Sequence, residues 1–342
     1  MIDLCLAPSS DPTSIYRYRD GLVAADLLTV ALVELDLFSW LQKEGAKSNQ
    51  EICQQYQLQE RPVDVMLTLL TAMGLLLRAG DQVRITPLAA EHLTSESQWN
   101  LAPYFACLKA RPVCKDLLQV LRTGKPASWG SIQHEKEWAK AMEEETFANA
   151  FTAAMDCRGI YLAQAMAKKL DVTGYSWLLD IAGGSGIYAC SLVAHHPHLQ
   201  AAVLEKSPVD KIARDSIARR GFSSRVEVVS ADMFAGIPSG FDVHLYSNVL
   251  HDWDKPKVQA LLDQSAAALP REGLLLIHDV HINEEKNGPL PAAAYSALLM
   301  HATEGKCYSL GEIRDFLGQA GFEKMQYLPT ACDRSAILAS KK

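Results

Sequence analysis

Leu179-Asp180-Ile181-Ala182-Gly183-Gly184-Ser185-Gly186-Ile187-Tyr188-Ala189 decides the fold. An apolar run ends at an acid, crosses a glycine-rich turn and re-enters an apolar stretch. Glycines between a strand and a helix let the backbone pass close to a ligand. Around this stretch, short apolar runs recur at Trp177–Ile181, Ala201–Leu204, Val226–Val229, Val243–Tyr246 and Leu274–Ile277. Helical segments lie between them at Ile187–Ala194, Val209–Arg219 and Lys255–Leu269. Repeated strand–helix units predict an α/β fold with a doubly wound, mostly parallel sheet. Met325–Leu328 and Ala336–Ala339 are expected to close it as an antiparallel pair. Ligands of such sheets bind past the carboxyl ends of the strands, at the switch point.

Upstream the pattern is helical. Leu22, Ala25, Leu28, Leu32, Leu35 and Phe38 recur every three to four residues, which predicts one long amphipathic helix. Ser48-Asn49-Gln50-Glu51 is a capping box, Arg61-Pro62 opens another helix, and Leu75–Ile85 folds back about Gly80-Asp81. Helix, helix, hairpin is the winged-helix order. It serves DNA binding or packing, and charge decides between them. Residues 1–100 hold seven Lys or Arg against thirteen Asp or Glu, the wrong sign for a phosphate backbone. The expected organisation is therefore a packing or dimerisation domain over 1–105, a helical segment over 106–172 that contributes to a pocket, and the sheet domain over 173–342.

The chemistry gathers at the strand ends. Gly184-x-Gly186-x-x-Ala189 fits a dinucleotide fingerprint, so NAD is one reading. Asp180, just before Gly183, tilts it the other way, because its carboxylate suits an ammonium and repels a pyrophosphate. Glu205 ends the next strand, placed to accept from a ribose diol. Asp232 ends the third, positioned for an adenine amino group, with Met233 and Phe234 beside it. Ammonium, ribose and adenine without a phosphate site describe S-adenosylmethionine. Ser247, Asn248, His251 and Asp252 follow the fourth strand, and Asp279 ends the fifth. In His278-Asp279-x-His281, alternation puts Asp279 and His281 on one face, and with His251 they have the residue types of a two-histidine, one-carboxylate site. An orienting acid accounts for the same residues, so no metal is expected.

These stretches resemble a known family. Leu179 to Gly186, Ala231-Asp232-Met233-Phe234 and Asn248-Val249-Leu250-His251-Asp252-Trp253 are similar to class I S-adenosylmethionine-dependent methyltransferases of the caffeate and acetylserotonin O-methyltransferase type. That group includes bacterial natural-product and pigment enzymes. The resemblance covers nearly the whole chain. It implies a Rossmann-like catalytic domain and an N-terminal winged-helix dimerisation domain, hence a homodimer. It implies that the glycine loop, Glu205 and Asp232 hold the cofactor, and that His251 is the general base, oriented by Asp279. Two departures stand out. Ala182 replaces a usual glycine, which an ordinary backbone conformation would tolerate. In Gly305-Lys306-Cys307-Tyr308-Ser309, Cys307 stands where a second orienting acid is usual, and Glu304 is out of register.

Phe147, Phe151, Met155 and Met300 are the candidate wall for a flat apolar acceptor. With 49% hydrophobic and 21% charged residues in 342, the chain is an ordinary globular protein, and its net charge of −7 argues against nucleic acid. The eight cysteines are scattered without a C-x-x-C pair, as in a reducing, cytoplasmic setting. No secretion signal is legible, and Gly21–Leu41 carries Asp26, Glu34 and Asp36, too costly for a membrane span. Three functions follow: methyl transfer to a hydroxyl of a small aromatic or polyketide-like acceptor, or to carbon or nitrogen; NAD-linked oxidoreduction; and non-catalytic regulation through the winged helix.

Overall fold

The computed structural model describes residues 3–127 and 138–342. The chain forms two compact units that interleave in sequence. One comprises residues 1–14, 136–280 and 313–342, and the other 15–135 and 281–312. The stretch 106–172 is thus divided between them.

The first unit is built on a seven-stranded sheet. Its strands are β1 (Trp177–Ile181), β2 (Gln200–Glu205), β3 (Val226–Ser230), β4 (Val243–Ser247), β5 (Leu274–Asp279), β6 (Phe322–Pro329) and β7 (Ser335–Lys341). They lie in the order β3-β2-β1-β4-β5-β7-β6. All pairings from β3 to β5 are parallel, and β7 runs antiparallel to both β5 and β6. β5 is buried along its whole length, and so is β1 after Trp177. Strands covered on both faces read as unbroken apolar runs, which is why they are visible in the sequence. The chain leaves β1 outward through β2 and β3, then returns beside β1 as β4. That reversal puts the switch point between the carboxyl ends of β1 and β4. Helices α1 (Glu145–Ala167), α2 (Ile187–His195), α3 (Val209–Arg219) and α4 (Lys255–Ala268) belong to this unit.

The second unit carries a three-stranded antiparallel sheet. Leu76–Ala79 pairs with Gln82–Ile85, so the predicted hairpin is present. Ser48 and Glu51 form the capping box of Asn49–Tyr56. The long amphipathic helix expected over 22–38 is broken. Ala24–Thr29 runs into a π-turn at Val30–Glu34, and a new helix starts at Leu37 after Asp36 adopts φ +46°. The extra residue per π-turn shifts the phase. Leu27, Val30 and Ala31 are buried, while Leu22 and Ala25 are exposed. Arg61 donates to the carbonyls of Met300, Thr303 and Gly305, satisfying the end of the helix Leu290–Ala302. No described helix is long and apolar enough to cross a membrane.

Candidate active site

The glycine loop leaves β1 at the switch point. Asp180 is fully buried, and its Oδ2 accepts the Ala189 amide at 3.2 Å, which ties the strand end to α2. Its Oδ1 is enclosed with no hydrogen-bond partner. Burial pushes the Asp180 carboxyl up to about 7, the Glu205 charge adding to the effect against the Ala189 amide. At Gly183 a Cβ would stand 2.6 Å from the Asp180 carboxyl, so only glycine fits. Gly184 and Gly186 have φ of +58° and +75°, the left-handed region that favours glycine. Ala182 also lies there, at φ +53°. The condition under which alanine would be tolerated here is not met: its Cβ carries strain, and the amide is held by the Leu204 carbonyl at 2.9 Å.

Glu205 closes β2 beside the loop. Its Oε1 accepts from the Gly184 amide at 3.0 Å and its Oε2 from the Lys206 amide at 3.1 Å. Burial raises its carboxyl to about 7, against the help of those two amides. Asp232 is exposed and accepts the Phe234 amide, Met233 is buried, and the Phe234 ring meets Trp253 edge-on at 4.8 Å. Asn248 sits at φ +55° past β4, its side chain donating to Tyr188 Oη at 3.1 Å and Ser247 Oγ at 3.2 Å.

His251 follows on a short 3-10 turn, Leu250–Asp252. It is buried, and its Nδ1 lies 2.6 Å from Asp279 Oδ1 at the end of β5. Asp252 Oδ1 is 3.7 Å from Nε2. Burial would lower the imidazole pKa, but the charges of Asp279 and Asp252 outweigh it and raise it. Burial pushes Asp252 to about 6, opposed by the His251 charge. Two carboxylates around a buried imidazole make it a stronger base.

His278, beside Asp279 in the sequence, is engaged on both ring nitrogens. Its Nδ1 meets Ser247 Oγ at 3.2 Å and its Nε2 meets Thr330 Oγ1 at 2.9 Å. Among the described residues no group of three or more His, Cys, Asp or Glu is arranged to hold a metal. On α1, Phe147 and Phe151 stack at 6.1 Å and pack with Met142, Ala148, Val209 and Ile212. Met155 is half-buried one turn on. In the second unit, Met300 is buried on Leu290–Ala302, Glu304 is exposed, and the amide of buried Cys307 donates to Ser296 Oγ.

Packing adds residues that the sequence motifs do not single out. Asp156 on α1 accepts from Ser185 Oγ and from Arg220, clamping the glycine loop between two helices. Tyr188 joins Asn248 to His278, its ring 5.5 Å from the imidazole. Arg158, seven residues after Phe151 and three after Met155, shares their helix face.

Residues 115–323 match the model of the O-methyltransferase domain family. The chain belongs to that family. It is 30% identical to 3-hydroxy-5-methyl-1-naphthoate 3-O-methyltransferase of Streptomyces sahachiroi, over 92% of this chain and 90% of that protein. It is 26% identical to L-tyrosine C(3)-methyltransferase of Streptomyces lavendulae, over 91% of this chain and 88% of that protein. The crystal structure of an O-methyltransferase family 2 protein from Planctomyces limnophilus DSM 3776, in complex with apigenin, superposes with a TM-score of 0.90. The two are 31% identical and cover 100% and 99% of each other. This protein is therefore a methyltransferase.

Proposed function

We propose that this methyltransferase moves the methyl group of S-adenosylmethionine to a hydroxyl of a small aromatic or polyketide-like acceptor, with His251 as general base. The observation that carries the reading is the buried 2.6 Å contact between His251 and Asp279, on the sheet edge that also bears the glycine loop. The crevice fits the cofactor's chemistry. Asp180 offers an enclosed, unpartnered carboxylate oxygen to an ammonium, and the space over Gly184 is open. Glu205 would take the ribose diol and Asp232 the adenine amino group. Met233 and Phe234 would cover the base, and Gly183, Gly186, Ser247 and Asn248 would line the rest. When bound, S-adenosylmethionine supplies the electrophilic methyl on its sulfonium.

Asp279 accepts the Nδ1 proton of His251, which makes Nε2 the basic nitrogen. Nε2 takes the proton from the acceptor hydroxyl, and Asp279 and Asp252 hold the imidazolium that forms. A free phenol ionises near pH ~10, so proton removal contributes roughly 10²–10⁴-fold. On α1, Phe147, Phe151 and Met155 would offer an apolar face to the acceptor. The naphthoate specificity of the Streptomyces sahachiroi relative and the apigenin held by the Planctomyces limnophilus protein support a flat hydroxylated acceptor. The tyrosine C(3)-methyltransferase relative favours carbon as a second target, since ionising a phenol also activates its ring carbons.

Residues 1–105 act as a winged-helix-like dimerisation domain, supported by Ile15, Tyr18 and Leu22, which are 70%, 82% and 64% exposed. The protein works as a homodimer in the cytoplasm, where eight free cysteines are at home. Labelled S-adenosylmethionine with a panel of hydroxylated aromatic acceptors tests the reaction. His251→Ala should cut turnover by roughly 10²–10⁴-fold and leave affinity for S-adenosylhomocysteine intact. Unchanged turnover would remove the base from the account.

A further inference from the structure

Ser185 lies between two glycines in left-handed backbone, yet its hydroxyl and its carbonyl are both held from outside the loop. We propose that Asp156 is a positioning residue: through Ser185 and Arg220 it locks the glycine loop to α1, so that a cofactor seated on the loop fixes the acceptor face of that helix. The proposal rests on the S-adenosylmethionine reading.

The clamp is closed on three sides. Asp156 Oδ1 accepts from Ser185 Oγ and from Arg220 Nη2, and Arg220 Nη1 donates to the Ser185 carbonyl at 3.3 Å. Ser185 is buried, and the side chains of Asp156 and Arg220 are 23% and 18% exposed. An ion pair withdrawn from solvent, with a hydroxyl on the same oxygen, holds its geometry better than a surface pair. A serine ahead of a helix commonly caps it. Here α2 has no side-chain cap, and the Ser185 hydroxyl goes to α1 instead. Gly159, three residues after Asp156, shares its face of α1. A Cβ there would come within 2.6 Å of Ile187 Cγ2. Helix α1 thus meets the end of the loop twice, by hydrogen bond at Ser185 and by close packing at Ile187.

The half of α1 before the clamp carries the apolar face. Phe147 and Phe151 stack and pack with Val209 and Ile212 of α3. Arg220 directly follows the last residue of α3. The two helices are therefore joined at both ends of α3, by rings near its start and by the ion pair past its end. With the loop clamped to this pair, a shift of the glycine turn is passed to Phe147, Phe151 and Met155, because close-packed elements move together. Methyl transfer needs the sulfonium methyl and the acceptor atom in line, about 3–3.5 Å apart. The clamp puts the parts that hold each of them in one frame.

Hydrogen–deuterium exchange with S-adenosylhomocysteine tests this without an acceptor. Two peptides are followed, one over the loop at 179–190 and one over α1 at 145–155, in wild type, Ser185→Ala and Asp156→Ala. Each variant is compared with itself with and without the nucleoside, so a general loosening of the fold cancels. In wild type both peptides should slow, the α1 peptide by about five-fold or more. In both variants the loop peptide should still slow at saturating nucleoside, while the change in the α1 peptide falls below about two-fold. Protection of the α1 peptide that is absent in wild type, or unchanged in the variants, overturns the proposal and leaves the cofactor reading intact. A variant whose loop is no longer protected at millimolar nucleoside overturns it as well, since the clamp would then serve the cofactor site alone. A wild-type loop that stays unprotected overturns the cofactor reading, and this proposal falls with it.

Discussion

Asp64 and Asp180 are both buried aspartates, one in each unit, and their surroundings have opposite effects. Asp64, on the helix Glu60–Ala72, lies 2.5 Å from Lys306 Nζ, 2.9 Å from Lys286 Nζ and 3.6 Å from Arg78 Nη1. Lys306 also reaches Glu312 at 2.7 Å. Burial would raise the Asp64 carboxyl, but Lys306 and Lys286 outweigh it and hold the group well below the usual carboxylate range. Asp180 has an amide on one oxygen and another acid nearby, and it rises to about 7. Burial always penalises the charge. Where counter-ions already surround a carboxylate, its charge holds the fold together. Where burial is left uncompensated at a strand end, the charge is available for a ligand cation.

Removing a counter-ion from the first site should have the largest effect. Lys306→Met leaves Asp64 and Glu312 buried against fewer cations, and urea unfolding should show a loss of about 3–5 kcal/mol. A loss below about 1 kcal/mol would mean that solvent reaches the cluster and that the contrast with Asp180 is overstated.

The second site should respond in the opposite sense. The Asp180 and Glu205 carboxyls are raised from 3.8 and 4.5 to about 7 in the folded chain. A raised folded value means that stability is full at low pH and is lost as pH climbs through about 7. Asp180→Asn should therefore stabilise the unliganded protein at pH 8 by about 1–3 kcal/mol and flatten its melting curve against pH. The same change should weaken S-adenosylhomocysteine binding. Destabilisation at pH 8 would assign Asp180 to the architecture, as for Asp64.

The smallest effect tests strain in the loop between them in kind. Ala182 at φ +53° carries a Cβ cost that Ala182→Gly removes, so the melting temperature should rise by the equivalent of about 1 kcal/mol. An unchanged or lower melting temperature would mean that glycine's added freedom in the unfolded chain cancels the relief.

Much of the fold was legible because parallel strands covered on both faces are continuous apolar runs, and each run that matters ends at an acid or a glycine. Asp180, Glu205 and Asp279 could be placed on one sheet edge from that alone. Other features depend on contacts between segments far apart in sequence. The Asp156–Arg220 clamp joins residues 64 apart, and Lys306 meets Asp64 across 242. Nothing in the Gly305–Ser309 stretch signals that Lys306 is committed to Asp64 and Glu312. The π-turn at Val30–Glu34 had no signal in the periodicity and reversed the buried face before it. At Ala182 the residue type pointed away from the conformation it adopts.

Calorimetric titration of S-adenosylhomocysteine into the unliganded wild-type protein at pH 8 addresses the central claim directly. At that pH Asp180 and Glu205 have crossed into their charged forms, so the account predicts saturable one-site binding that weakens as the titration is repeated toward pH 6. Absence of binding at either pH, or affinity indifferent to that change, would contradict a crevice built to hold an ammonium and a diol with the carboxylates of Asp180 and Glu205.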